Sequence, residues 1–269
     1  MQPADFLLAR VVEDMMDRLG AIMRPFETVL DVLTPSPLLA ASLKAASIHR
    51  IVLDEALGGA GGWTMARLTR DEVLPPSEKP FDLAVSALGL QFINDLPGLL
   101  VQIRRALKPD GLFLGAMIGG QSLHELRSAL TQAESEISGG ASPRVAPFAD
   151  LRDMGGLLQR AGFALPVTDI DTVTVRYSDL LALMRDLRAM GATNALISRS
   201  RRFLRRDILL RAAEIYAEQF VDSDGRIRAT FEIIWLSGWV PDPSQQQPLK
   251  PGSARMRLAD ALKVPEGKV

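Results

Sequence analysis

The sequence predicts an α/β fold, a mostly parallel sheet flanked by helices, and three observations point to it. The run Phe81-Asp82-Leu83-Ala84-Val85-Ser86 is followed by a helical stretch from about Leu96 to Leu107. A Lys108-Pro109-Asp110-Gly111 turn then leads into a second β-rich run, Leu112-Phe113-Leu114-Gly115-Ala116-Met117. Strand, helix, turn and strand in that order make a βαβ unit, which requires parallel strands and a right-handed crossover. Short β-rich runs also alternate with helical ones through the first half of the chain. Finally, 269 residues, 47% hydrophobic and 23% charged, provide enough apolar material for one large core.

Taken in order, residues 5–22 predict an amphipathic helix, with Phe6, Ala9, Val12, Met16, Leu19 and Ile22 at three- and four-residue steps and acids between them. Thr28-Val29-Leu30-Asp31-Val32-Leu33 predicts a short strand stopped by Pro35 and Pro37. Leu38 to Ala46 is helical in pattern. Ile51-Val52-Leu53 predicts a buried strand ending at Asp54 and Glu55, followed by a glycine-dense loop from Leu57 to Trp63. Beyond the βαβ unit come a helix from Ser122 to Ile137, a flexible loop over Ser138–Pro147 and a helix from Asp150 to Gly162. Val167 to Tyr177 alternates and predicts a strand. Ser178 is the expected cap of a helix reaching Met190 and closed by Gly191. A long helix is expected from Phe203 to Phe220, a turn at Asp222-Ser223-Asp224-Gly225, a long strand from Ile227 to Trp239, and a loop from Pro241 to Pro251.

Composition excludes some functions. The net charge is −1, from 31 basic and 32 acidic residues, so nothing global points to nucleic acid. There is no cysteine, which rules out disulfides, thiolate catalysis and cysteine zinc sites. The opening Met1-Gln2-Pro3-Ala4-Asp5 has no basic n-region, and no transmembrane segment is expected. The chain is therefore expected to be cytoplasmic, at most peripheral to the inner membrane.

An open parallel sheet places its ligands beyond the carboxyl ends of its strands. That rule selects the residues after Leu33, after Leu53 and after Val85. Asp54 or Glu55, ending the second strand, is placed to accept hydrogen bonds from ribose hydroxyls, and is equally placed to be a solvated acid. A nucleotide cofactor usually needs glycine after the first strand, because the backbone must pass close to the ligand. Here the loop is Leu33-Thr34-Pro35-Ser36-Pro37, in which two prolines remove two amide donors. His49 is expected in an exposed turn, and His124 in the first turn of a helix beside Glu125. The two histidines do not share a metal-ligand spacing, so no metal is expected. Arg199, Arg201, Arg202, Arg205 and Arg206 form the densest basic cluster. It is either a solvated helix face paired with acids or a surface for an acidic partner.

From Phe81 onward the sequence resembles a known superfamily. Phe81–Leu88, Gln91-Phe92-Ile93-Asn94-Asp95-Leu96-Pro97 and Leu107-Lys108-Pro109-Asp110-Gly111 resemble the segment between the fourth and fifth strands of class I S-adenosylmethionine (SAM) methyltransferases. Gly115 to Arg127 resembles a branch that includes the malonyl-carrier-protein methyltransferases of biotin synthesis. It more closely resembles the branch of the respiratory complex I assembly factor, an arginine hydroxylase. Gly139-Gly140-Ala141-Ser142-Pro143, Asp186 to Gly191 with Asn194, Asp224-Gly225, Ala229 to Trp239, Gly252-Ser253-Ala254 and the Phe6–Arg10 helix agree with the assembly-factor branch.

The resemblance implies a Rossmann-like, seven-stranded SAM-methyltransferase fold. It divides the chain into an N-terminal helix (1–25), one domain (26–262) with helical additions in 122–220, and a C-terminal tail (263–269). It implies SAM as cofactor and, within the assembly-factor branch, modification of a protein arginine on a complex I subunit. A non-catalytic scaffold that binds a partner protein is the alternative. Cofactor contacts implied by the resemblance fall on Asp31, Thr34, Asp54, Glu55, Asp71, Ser86, Ala87 and Leu88, and substrate contacts on Gln91, His124 and Glu125. The catalytic residue is left unassigned. Leu33, Pro35 and Pro37 stand where the family has glycines, and Arg70 stands where its third strand ends in an acid, with Asp71 and Glu72 just after.

Overall fold

The structure, a computed structural model, describes residues 5–53, 62–77 and 79–246. Seven strands form one sheet in the order β3-β2-β1-β4-β5-β7-β6. β1 (Thr28–Val32), β2 (Ser47–Val52), β3 (Thr64–Arg67), β4 (Phe81–Ala87) and β5 (Leu107–Ile118) run parallel to one another. β7 (Ile227–Trp239) inserts antiparallel between β5 and β6 (Ala164–Tyr177). This is the α/β class expected from the sequence.

Helices cover both faces. α1 (Phe6–Gly20), α2 (Leu38–Ser42), α4 (His124–Ser138), α6 (Leu180–Ala189) and α7 (Arg206–Gln219) pack on one face, around Met15, Leu39, Val85, Ala129, Leu183, Ile215 and Trp235. α3 (Leu96–Ala106) and α5 (Leu151–Ala161) pack on the other, around Leu99, Ile103, Phe113, Leu158 and Ile234. The helices form because their apolar residues share one side: α1 buries Leu7, Leu8, Val11, Val12, Met15 and Leu19. Each such side chain contributes about 1.5–3 kcal/mol when fully buried. α3 starts where it does because the Asp95 carboxylate accepts from the Gly98 amide at 2.9 Å and Pro97 occupies the first turn. β4 lies between two parallel neighbours and is buried on both faces, hence its continuous apolar run.

Several expectations need correction. The helix expected over Leu38–Ala46 ends at Ser42, because β2 begins at Ser47 rather than Ile51. Polar His49 and charged Arg50 hid four strand residues from a reading based on hydrophobicity. Thus His49 is in a strand, half-buried, its ring edge-on to Phe81 with centroids 5.1 Å apart. β3 has no apolar run, and only the resemblance implied it. It ends at Arg67, not at Arg70. β5 takes in the expected turn, and the residue with positive φ there is Asp110 (58°) rather than Gly111. The cap of α6 is Asp179, whose carboxylate accepts from the Ala182 amide at 2.8 Å, not Ser178. α7 begins at Arg206, since Arg205 is extended (ψ 144°), so Phe203 to Arg205 precede the helix. The loop expected to be flexible over Ser138–Pro147 is tied down by Glu134, which accepts from the Ser142 amide at 2.7 Å and from Arg144 Nε at 3.0 Å. Among the described residues no helix is long and apolar enough to cross a membrane.

Candidate functional site

Strand order reverses between β1 and β4, which is where a doubly wound sheet opens its ligand crevice. Five of the expected contacts, Asp31, Thr34, Ser86, Ala87 and Leu88, lie on the ends of these two strands or just beyond them. All five are buried.

What holds this region together is a residue that the sequence analysis passed over. Arg50 is wholly buried in β2, directly across from Asp31 in β1. Its Nε donates to Asp31 Oδ2 at 2.9 Å. Its Nη2 donates to the backbone carbonyls of Thr34 (3.0 Å) and Ser36 (2.8 Å), and its guanidinium lies 5.6 Å from the ring centroid of Trp63. Burial pushes the Asp31 carboxyl above its ordinary range, opposed by the Thr34 side chain and by Arg50. Because a guanidinium keeps its proton, the carboxylate is its natural counter-charge.

The loop after β1 is therefore fastened from beneath by Arg50. It is also fastened from the side, since the Ala87 amide donates to Thr34 Oγ1 at 3.1 Å. Leu33 turns the chain with φ 65° and donates its amide to the Ile51 carbonyl at 2.8 Å. Gly89 lies so close that a Cβ built on it would be 2.2 Å from the Leu33 carbonyl oxygen. Leu88 is likewise left-handed (φ 55°), with its amide on the Ala116 carbonyl. The loops after β1 and β4 thus touch across the crevice.

In this architecture an adenosyl cofactor would rest on the β1 loop. The loop offers no glycine cradle, its prolines donate nothing, and two of its carbonyls are already committed to Arg50. Asp54 and Glu55 lie outside the described residues. Asp71 is exposed in a turn four residues past the end of β3 and does not join the cluster. Its neighbour Glu72 instead accepts from the amides of Asn94 and Asp95 at 2.9 and 2.7 Å, which bind the β3–β4 connection to the start of α3.

Gln91 lies in a short 3-10 turn after β4 and donates to the Leu88 carbonyl at 2.7 Å. Its Oε1 and the Ser86 hydroxyl are buried with no hydrogen-bond partner among the described residues. His124 and Glu125 are elsewhere, at the start of α4. Glu125 is buried and accepts from the Thr230 amide (3.2 Å) and hydroxyl (2.5 Å) of β7, which makes it a clamp between helix and strand. His124 is half-exposed, with Nδ1 3.0 Å from the Gln121 carbonyl and 3.5 Å from Glu125. Ser122 and Glu232 likewise carried no signal in the sequence. The Ser122 hydroxyl accepts from the Glu232 amide (2.8 Å) and donates to its carbonyl (3.1 Å), so the segment after β5 stays laced to β7.

Among the described residues, clefts open at either end of the strands. One of about 970 Å³ is lined by Thr28, Ser47 and Phe81, the first residues of β1, β2 and β4, and so opens at the amino ends of the strands. The other, about 590 Å³, lies at the carboxyl edge beside Gly120, between Arg127 and Thr131 of α4 and the Ala141–Val145 loop. Among the described residues no three His, Asp or Glu side chains gather as a metal site would require.

Comparison with known proteins agrees with this architecture. Among solved structures, the YcgJ protein of Bacillus subtilis superposes with a TM-score of 0.57 at 14% identity, over 87% of this chain and 99% of that one. A putative methyltransferase of Bacillus halodurans also gives 0.57, at 15% identity over 86% and 99%. At these identities they speak for the fold alone. Sequence relatives are nearer. The protein named mitochondrial arginine-hydroxylase NDUFAF5 is 40% identical in Danio rerio, over 97% of this chain and 83% of the relative. In Homo sapiens it is 38% identical, over 98% and 79%. A malonyl-[acyl-carrier protein] O-methyltransferase of Laribacter hongkongensis is 36% identical, over 67% of this chain and 58% of its own length. A family described as a methyltransferase domain matches residues 10–166. This chain belongs to the methyltransferase-domain family and, within it, to the family of the mitochondrial arginine hydroxylases.

Proposed function

We propose that this chain works through a protein partner, as the name of its arginine-hydroxylase relatives suggests, and without SAM at the β1–β4 crevice. By resemblance, the partner is a respiratory complex I subunit. The observation that supports this reading is the buried Asp31–Arg50 pair, whose guanidinium ties down the loop on which an adenosyl cofactor would rest. In this reading the methyltransferase fold serves as a scaffold. A catalytic reading, modification of an arginine on the same partner, is favoured by 40% identity over 97% of the chain. The unpartnered Ser86 hydroxyl and Gln91 Oε1 at the end of β4 favour it too, since buried polar atoms without partners often await a ligand.

Titration calorimetry with SAM and with S-adenosylhomocysteine separates the two. The expected result is no heat, and no thermal stabilisation at millimolar ligand. Micromolar binding, about −8 kcal/mol, would overturn the cofactor-free reading. The next assay would then be arginine modification on a complex I subunit.

A further inference from the structure

We propose that residues 191–206 form a docking surface for an acidic segment of a partner protein. The proposal rests on the reading that the chain acts through a protein, and it assigns the surface and the chemistry of the contact.

The sequence left two readings of the arginine cluster open, and the structure separates them. Four of the five arginines precede α7, in chain that is neither helix nor strand. Only Arg205 has a carboxylate, that of Asp207. Among the described residues Arg199, Arg201, Arg202 and Arg206 have none, so the cluster is not a helix face neutralised by neighbouring acids. Beside these cations Phe203 is 100% exposed and Ile197 is 92% exposed. A fully hydrated phenylalanine and isoleucine within one basic strip are not explained by the fold, because neither side chain packs on anything.

The strip is nevertheless held in place. Asn194 Nδ2 donates to the Pro143 carbonyl at 2.7 Å, and Asn194 Oδ1 accepts from the Leu196 amide at 3.1 Å. The Leu196 carbonyl accepts from Arg199 Nη1 at 2.8 Å, and Leu204 packs inward on the core while Phe203 points away. Pro143 also lines the 590 Å³ cleft beside Gly120. The strip is thus anchored to the rim of an open cleft at the carboxyl edge of the sheet, where this architecture receives its ligands.

Charge decides the class of partner. All five cations are arginine and residues 191–206 contain no lysine. A guanidinium fork binds a carboxylate through two parallel hydrogen bonds, and arginine and phenylalanine are both enriched at protein interfaces relative to the rest of the surface. The whole chain carries −1, so without these five cations its remaining charge is net negative. That balance favours the approach of an acidic partner to this strip.

The test places a photoreactive benzoylphenylalanine at position 203 of the full chain in its source cells, with the same probe at Met23, which is fully exposed, as the control. The expected result is an adduct to one protein, through a peptide of net negative charge, absent from the Met23 control. The adduct should fall at least about 10-fold when Arg201→Glu and Arg202→Glu are introduced together. Phe203→Ser in the otherwise native chain should weaken co-purification of the same protein. An unchanged melting temperature in both variants keeps folding out of the comparison. Adducts to lipid alone, adducts to a peptide without net negative charge, yields that ignore charge reversal, or no adduct above the control would each overturn the proposal. SAM calorimetry reads the crevice and not this strip, so failure of the cofactor-free reading would be seen separately.

Discussion

Two stretches of the carboxyl edge of the sheet differ in how they are closed. Over β1 and β4 the closure is electrostatic: a buried arginine draws a carboxylate and two backbone carbonyls onto itself, and the flanking loops meet over it. Over β5 and β7 it is a hydrogen-bonded lacing. Ser122 holds both backbone groups of Glu232, and Glu125 holds both donors of Thr230. The first arrangement brings the two flanking loops into contact. The second leaves the cleft beside Gly120 open, with the arginine strip at its rim. On the proposed reading, the ground for binding lies away from the crevice between β1 and β4 and toward the side of the sheet where the antiparallel strands lie.

The sharpest way to break this comparison is at Arg50. Arg50→Ala leaves the Asp31 charge buried without its partner and releases two carbonyls. It should cost about 3–5 kcal/mol in chemical denaturation at neutral pH. Joint replacement of Arg50 by Met and Asp31 by Leu should cost far less, because no lone charge remains. If Arg50→Ala costs under about 1 kcal/mol, the first closure is not electrostatic.

A smaller effect is expected on the laced side. Glu125→Ala removes a carboxylate that accepts two hydrogen bonds and strands the Thr230 amide, and about 2 kcal/mol should be lost. Amide exchange should rise at Thr230 while staying unchanged at Leu33 and Ala87.

The smallest effect belongs to the opposite edge of the sheet and serves as a control. Burial favours the neutral form of Asp82, but hydrogen bonds from Lys108 and Thr28 outweigh it and hold the carboxyl down at about 2. A depressed carboxyl adds stability that is complete above its ordinary value of about 4 and is lost as pH falls toward about 2. The contribution should be about 1 kcal/mol after solvent screening. In urea denaturation followed against pH, Asp82→Asn should flatten that window and leave the effect of Arg50→Ala at pH 7 unchanged.

Much of this architecture could be read from residue order. Buried parallel strands are continuous apolar runs, so β4 and the body of β5 stood out, and one-sided helices such as α1 and α5 declared themselves by spacing. β3 did not, because a four-residue edge strand with little burial carries no pattern. At the site, Asp31, Thr34 and Ala87 could be placed from their position at strand ends, and the prolines announced an altered loop. Arg50 could not be found in this way. A charged residue four positions into a strand reads as solvent-facing until its partner across the ladder, nineteen residues earlier, is known to be an acid on the same face. The available signal was that pairing: an Asp between apolar residues in one predicted strand and an Arg immediately before the next.

The position of β7 also sets an order of events during synthesis. β6 leaves the ribosome before β7, yet the ladder that joins β6 to the sheet is β7 itself, threaded between it and β5. Two ion pairs of the first helix wait as well, since Arg10 and Arg18 meet Asp171 and Asp169 of β6 more than 150 residues later. Until the last described strand arrives, β5 and β6 each present an open edge in the same nascent chain, able to pair with a neighbour's. The interval between the synthesis of β6 and that of β7 is thus this protein's window of exposure to aggregation, and the one in which a holding chaperone would matter most.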